Sequence, residues 1–359
     1  MVLDEIPGFW AVVPAGGAGT RLWPLSRSRA PKFLHDLTGS GRSLLEQTHD
    51  RLAPLAGERV LVVTGEAHRA AVRDQLAMLP EDAVVAEPSA RDSMAAIGLA
   101  AALLERRGAE VMGSFAADHV IAEPERFAAS VAAAVAAARD GWLVTIGIEP
   151  TFASSAFGYI REGEELPGHP AARRVVEFVE KPSVAVAEEY LATGQYRWNA
   201  GMFVVRPSVL LDLLAEQDPD FAATLRTIAA EPDRLGELWE SLPKIAIDHA
   251  VAEPAAAAGK VATIPGGFGW DDVGDFDSLA TLLGGADTCS VLGDPALTQL
   301  IDASGIVVPG SGRTVAVIGL DDIVVVDTPD ALLVTTRARA QEVKNVVAAL
   351  KQKGRTDLV

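Results

Sequence analysis

The sequence predicts an α/β protein: a mostly parallel mixed sheet, followed by a small C-terminal β domain that ends in a helix. Three observations predict it. Continuous apolar runs of strand length alternate with helix-length, alanine-rich stretches as far as about residue 150, the pattern of strands covered by helices on both faces. A glycine-rich break follows the first of these runs. After about residue 285 the texture changes to closely spaced short β runs divided by Gly, Asp and Pro, which predicts a separate small β module. The expected domains are therefore residues 1–285 and 286–359.

Each element follows from its own residues. Trp10-Ala-Val-Val opens the sheet, and Val60-Leu-Val-Val-Thr-Gly, Val84-Val-Ala and Leu143-Val-Thr-Ile-Gly-Ile supply further strands. Helices are expected over His68–Met78 and Ser93–Arg106. In Phe127–Ala138 the bulkier Phe127, Val131 and Val135 recur at helical spacing, a stripe read as core packing. Val111–Ala117 leads up to Asp118. The late β runs are Ile306-Val-Val-Pro, Thr314–Gly319, Asp322–Asp327 and Ala331-Leu-Leu-Val-Thr, with a helix expected only at Arg339–Lys351. Ligands of open α/β sheets bind at the carboxyl ends of strands, where residues 14–21 and Asp118 both fall.

Composition narrows the function classes. With 359 residues, 49% hydrophobic and 22% charged, the chain suits a globular enzyme rather than a disordered one. The net charge of −18 argues against nucleic-acid and anionic-membrane partners. A polyanionic substrate would then rely on the local cations Arg21, Arg27, Arg29 and Lys32, with divalent metal offsetting carboxylates. The single cysteine, Cys289, excludes a disulfide or a cysteine-based zinc site within one chain. The acidic start Met1-Val-Leu-Asp-Glu does not read as a secretory signal, and no apolar run approaches 18 residues. A cytoplasmic location is expected.

The chemistry-bearing segments begin with Val13-Pro14-Ala15-Gly16-Gly17-Ala18-Gly19-Thr20-Arg21-Leu22-Trp23-Pro24, then Pro31-Lys32-Phe33. Glycines let backbone N–H groups approach a phosphate, and Arg21 and Lys32 stand beside them. Spacing excludes a Walker loop and a dinucleotide fingerprint, since Leu22 stands where the latter needs its third glycine. Asp118, at a strand end, reads as a Mg²⁺ ligand, with a turn cap as the alternative. Phe268-Gly-Trp270-Asp271-Asp272-Val273-Gly274 sets two carboxylates between glycines. Glu180-Lys181-Pro182 alone is an ordinary solvated turn, while Asn199 has the donor and acceptor to read hydroxyls. His119 reads as a residue shaping the Asp118 turn, and His249 and Glu253 do not complete a zinc motif.

These segments, in this order, resemble the sugar-phosphate nucleotidyltransferases. The variant with Trp23, Ser26-Arg27 and Pro31-Lys32-Phe33-Leu34 is most similar to their guanylyltransferase branch, which works on mannose 1-phosphate. The resemblance runs from about residue 9 to 345. It implies the Rossmann-like nucleotidyltransferase fold, and a short left-handed β-helix with a role in homodimer contacts at the C-terminus. Longer relatives continue into a phosphomannose-isomerase domain, which this sequence stops short of.

The implied reaction joins GTP and mannose 1-phosphate to give GDP-mannose and pyrophosphate. The resemblance implies catalytic roles for Arg21, Lys32, Asp118, Lys181 and Asp272. It places Mg²⁺ on Asp118 and Asp272, with Asp271 at a variable position. Nucleotide binding falls to Ala15, Gly16, Gly17, Gly19, Thr20 and Arg21, and to Glu87, Arg91, Asp92 and Ser93. Sugar binding falls to Gly158, Glu180, Lys181 and Asn199. Two departures touch specificity: Asp92-Ser93 replaces the usual Asn-Thr, as a pair expected to cap the following helix, and Phe157 precedes Gly158. The alternatives are a heptose/GTP or a glucose/UTP or dTTP enzyme of the same family, and a non-catalytic regulatory paralogue that binds nucleotide sugar.

Overall fold

The computed structural model describes residues 4–17, 19–284 and 289–359. Ala18 of the glycine segment, the first three residues of the N-terminus and the expected boundary at 285/286 lie outside the described residues. The chain divides into two compact units, each assembled from separated segments. The first comprises Met1–Ala15, Thr48–Ala116 and Ile121–Trp270; the second comprises Gly16–Gln47, Ala117–Val120 and Asp271–Val359.

The first unit is built on nine strands: β1 (Phe9–Ala15), β2 (Val60–Gly65), β3 (Val84–Glu87), β4 (Val111–Ser114), β5 (Leu143–Ile148), β6 (Gly158–Leu166), β7 (His169–Val179), β8 (Tyr196–Val205) and β9 (Val261–Gly266). They form one sheet in the order β3-β2-β1-β4-β8-β5-β9-β7-β6. Pairing is parallel through β3-β2-β1-β4 and between β5 and β9. It is antiparallel wherever β8 inserts and through β9-β7-β6. The sheet is mixed, and its antiparallel share exceeds what the early strand–helix alternation suggests. The reason is local: β6 and β7 are joined through Pro167-Gly168 with no helix between them, so they can pair only as a hairpin.

Side-chain alternation explains how both faces are covered. In β1, Val12 joins a core with Leu61, Val63 and the helices α3 (Asp92–Arg106), α6 (Pro207–Gln217) and α7 (Pro219–Ala230), numbered after α1 (Leu44–Ala56), α2 (Arg69–Gln75), α4 (Pro124–Arg139) and α5 (Val184–Thr193). Phe9, three residues earlier, points to the other face. There Phe115 lies 6.4 Å from Phe9 and 5.6 Å from Phe127 of α4, which lies 5.4 Å from Phe268. The helix expected over His68–Met78 is shorter at both ends: His68 belongs to a tighter turn at Glu66–His68, and α2 stops at Gln75, where Leu76 leaves helical backbone at φ −111° and ψ 48°.

Among the described residues, the C-terminal part of the second unit holds six short strands: β10 (Cys289–Val291), β11 (Thr298–Ile301), β12 (Gly305–Pro309), β13 (Val315–Ile318), β14 (Ile323–Asp327) and β15 (Leu332–Thr336). β10-β12-β14 stack in parallel, β11 pairs in parallel with β13, and β15 closes the first stack antiparallel. Successive turns of chain feeding two parallel stacks are the geometry of a β-coil. Helices α8 (Phe276–Gly284) and α9 (Val343–Gln352) pack beside it. One apolar core ties this unit together: Leu22 and Trp23 pack with Phe276, Ile306, Val324, Ala340 and Val343. Among the described residues no helix is long and apolar enough to cross a membrane.

Candidate active site

Of the residues expected to handle phosphates and metal, Gly16, Gly17, Gly19, Thr20, Arg21, Lys32, Asp118 and Asp272 fall in the second unit, whereas Ala15 and Lys181 belong to the first. After Ala15, Gly16 and Gly17 are exposed, and Gly17 and Gly19 adopt left-handed backbone with φ of 85° and 56°. A Cβ at Gly19 would lie 2.8 Å from Ser26 Oγ and 3.1 Å from Lys32 Cβ. Only glycine lets the loop lie against Lys32. A Cβ at Gly16 or Gly17 would meet nothing within 4 Å, which leaves that stretch of backbone open to a ligand. The tight turn Thr20–Leu22 then sends Leu22 and Trp23 into the core, with Leu22 N donating to Gly19 O at 2.9 Å.

Lys32 organises the carboxylates. Its ammonium lies 2.9 Å from Asp118 Oδ2, with the two side chains only 12% and 20% exposed, and donates to the Asp272 carbonyl at 2.6 Å. Burial alone would push the Asp118 carboxyl up, but Lys32 and then His119 outweigh it and hold it below the usual carboxylate range. At Asp272 burial prevails: the carboxyl is raised despite Lys32, His119 and Arg21, all close enough to pull it down. Asp271 is occupied otherwise, accepting from Val273 N at 2.6 Å and Ser278 Oγ at 2.5 Å. That bond holds Val273 at φ 45°, an uncommon conformation for a β-branched residue. Gly274 makes room for Asp272, since a Cβ there would sit 3.0 Å from Asp272 Oδ2.

The local cation cluster is thinner than its sequence spacing implies. Arg27 is committed to a two-point pair with Asp330, at 2.8 and 2.6 Å. Arg21 donates to Gln341 Oε1 at 3.1 Å. Among the described residues no group of three or more His, Cys, Asp or Glu is arranged to hold a metal. The donor set is thus two carboxylates, Asp118 and Asp272. Hard oxygens in that number fit Mg²⁺, which takes one or two protein carboxylates and completes its shell with water and substrate phosphate.

The base and sugar candidates fall in the first unit. At the end of β3, Glu87 is buried, and among the described residues its Oε2 has no hydrogen-bond partner. Burial, then the charge of Asp92, pushes its carboxyl up to about 7. Arg91 is turned into the scaffold, where it pairs with Glu240 and donates to the Glu240 and Leu242 carbonyls at 2.9 and 3.2 Å. Asp92 opens α3 at φ 58°, without a side-chain cap. The Ser93 hydroxyl accepts instead from Ile247 N at 2.9 Å. The expected capping by Asp92-Ser93 is therefore corrected: Ser93 docks a distant segment, and a left-handed residue starts the helix.

Gly158, Glu180, Lys181 and Asn199 do come together. A Cβ at Gly158 would overlap Glu180 Oε2 and stand 3.4 Å from Asn199 Cβ. Glu180 pairs with its neighbour Lys181, which is held at φ 49°. Asn199 Oδ1 accepts from Thr145 Oγ1 at 3.0 Å and Gly201 N at 3.2 Å, and Nδ2 donates to Asp248 Oδ1 at 2.7 Å. The Nδ2 group has a second N–H, for which no acceptor is found among the described residues. Asp248 is a residue the sequence reading missed. Burial, then the charge of Glu180, pushes its carboxyl up to about 6. No motif in residues 240–248 announces it; it is found only through its contact with Asn199.

A glycine loop with Arg21 and a lysine bracketed by two aspartate segments in one unit, and a cluster of Gly158, Glu180, Lys181 and Asn199 on the mixed sheet of the other, accompany a sequence that is a nucleotidyltransferase. A family model described as nucleotidyl transferase matches residues 10–284, and one described as MannoseP isomerase/GMP-like beta-helix domain matches 299–350. The mannose-1-phosphate guanylyltransferase of Escherichia coli K12 is 37% identical over 360 residues, covering 96% of this chain and 74% of the relative. The xanthan biosynthesis protein XanB of Xanthomonas campestris pv. campestris (strain B100) is 38% identical over 361 residues, with the same coverage of 96% and 74%. A crystal structure described as a mannose-1-phosphate geranyltransferase from Thermus thermophilus matches with a TM-score of 0.87 and 35% identity, covering 96% of this chain and 99% of that one. The chain belongs to the mannose-1-phosphate guanylyltransferase family of nucleotidyltransferases.

Proposed function

We propose that the protein transfers GMP from GTP to α-D-mannose 1-phosphate, giving GDP-mannose and pyrophosphate, with Mg²⁺ as cofactor. The observation that carries this reading is Lys32, bracketed by the Asp118 carboxylate and the Asp272 segment beside an open glycine loop. In the second unit, backbone N–H groups of Gly16, Gly17 and Gly19, with Thr20 and Arg21, would hold the departing pyrophosphate. Asp118 and Asp272 would hold Mg²⁺, which supplies charge neutralisation on the phosphates when bound. In the first unit, the buried Glu87 carboxyl, whose Oε2 has no hydrogen-bond partner among the described residues, suits the adjacent N–H donors of guanine. Glu180, Asn199 and Gly158 would take the sugar, with Lys181 on its phosphate.

The chemistry then asks little of protons. A sugar-phosphate oxygen, already ionised, forms a bond to the α-phosphorus as the bond to the bridging oxygen of pyrophosphate breaks in line. Catalysis is positioning and charge stabilisation. The substrates are phosphorylated metabolites, and on that ground the enzyme is assigned to the cytoplasm. The two matched ranges, 10–284 and 299–350, support a catalytic domain over 1–285 and a β domain over 286–359.

The test is pyrophosphate release with Mg²⁺, crossing GTP, UTP, dTTP and ATP against mannose 1-phosphate and glucose 1-phosphate. Release with GTP and mannose 1-phosphate is expected. Preference for another pair would move the specificity to a sister enzyme. No release from folded protein that still binds nucleotide sugar would mean a regulatory role.

A further inference from the structure

We propose that Gln341, in the C-terminal β module, is a positioning residue for Arg21. The inference rests on the reading of Arg21 as a ligand of the departing pyrophosphate. Among the described residues, Gln341 is the hydrogen-bond partner of the Arg21 side chain: Arg21 Nη1 donates to Gln341 Oε1 at 3.1 Å. The opposite end of the same amide, Nε2, donates to Asp275 Oδ2. Asp275 is 7% exposed, and its other oxygen accepts from Asp277 N at 2.8 Å and Ser278 N at 3.0 Å, at the start of α8. A carboxylate of this kind only accepts, so it dictates which end of the amide faces it. Gln341 Oε1 is thereby aimed at the guanidinium.

Both partners are anchored, so the contact is built into the unit. On one side Leu22 and Trp23, adjacent to Arg21, are core residues, and Trp23 Nε1 donates to Leu358 O at 2.6 Å. On the other, Ala340 and Val343 flank Gln341 in that same core. Arg337, four residues before Gln341, donates to Asp277 Oδ1 and Thr281 Oγ1, each at 2.8 Å. The relay Arg21–Gln341–Asp275 thus joins the glycine loop to the segment that carries Asp272.

A neutral amide suits this position better than a carboxylate. It fixes one of the five guanidinium donors and leaves the positive charge and the other donors for phosphate. A glutamate would neutralise Arg21 and stand against Asp275. Gln341 touches no reacting atom in this account; it holds the group that does.

The experiment compares Gln341→Ala, Gln341→Glu, Arg21→Ala and the double variant Arg21→Ala/Gln341→Ala in the full chain, with melting temperatures alongside. Gln341→Ala should lower kcat/KM for GTP about tenfold, the scale of one hydrogen bond to a charged group, with little change in melting temperature. Gln341→Glu should lose more, and should raise the KM for pyrophosphate in the reverse reaction. The decisive arm is the cycle: once Arg21 is gone, removing Gln341 should cost nothing further. Losses that multiply in the double variant, or a Gln341→Ala enzyme with unchanged kinetics, would overturn the positioning role while leaving Arg21's role intact. If Arg21→Ala itself were unchanged, the reading of Arg21 would fall, and this inference with it.

Discussion

Asp271 and Asp272 are chemically identical neighbours, and their surroundings separate them. Asp271 spends its carboxylate on Val273 N and Ser278 Oγ, whereas Asp272 lies over Gly274 beside Lys32, with its carboxyl raised by burial. Asp272→Asn should therefore remove most turnover and leave the fold intact, read by initial rates and by circular dichroism; retained turnover would sink the metal assignment. Protonation makes a second prediction. Glu87 and Asp248 carry carboxyls raised to about 7 and about 6, from ordinary values of 4.5 and 3.8. Over those intervals the folded chain binds protons that the unfolded chain has lost. Stability from these groups is thus present at low pH and falls as pH rises through the interval. Melting temperatures across pH 4 to 8 should decline over this span, and Asp248→Asn should flatten the part below about pH 6; a decline of the same slope in that variant would reject the assignment.

At the scale of the element, Ser43 and Glu46 form a reciprocal cap at the start of α1: Ser43 N donates to Glu46 Oε2 at 2.7 Å and Glu46 N to Ser43 Oγ at 3.1 Å. Ser43→Ala should cost about 1 kcal/mol, measured by denaturant unfolding. This cap, like the glycine loop, is readable in sequence because its partners are three residues apart. The same holds for the early strands, whose apolar runs are continuous, and for Lys32, Asp118 and Asp272, each embedded in a short contiguous motif. Asp248, Glu240 and Gln341 were not legible, because their meaning lies in partners 49, 149 and 320 residues away. Nor does local spacing reveal that Arg91 is claimed by Glu240, or that Arg27 is claimed by Asp330.

For the molecule as a whole, charge sets the last prediction. The net charge is −18, and two of the nearby cations, Arg27 and Lys32, are offset by Asp330 and Asp118. Anionic substrates therefore approach against the long-range field. Raising ionic strength from about 10 to 150 mM shortens the screening length from roughly 30 to 8 Å, and kcat/KM for GTP should rise with it; a fall would show that local cations govern encounter.

The interleaved chain of the second unit carries a consequence for biosynthesis. Leu22 and Trp23 share a core with Ala340, Val343 and Val347, and Trp23 bonds to Leu358. At roughly 5–20 residues per second of translation, the glycine loop leaves the ribosome on the order of tens of seconds before its packing partners exist. During that wait two large apolar side chains have no native place to go. A nascent chain halted near residue 285 should be recognised by hydrophobic-binding chaperones, and the glycine loop should become protease-resistant only when the last turns of the molecule have been made.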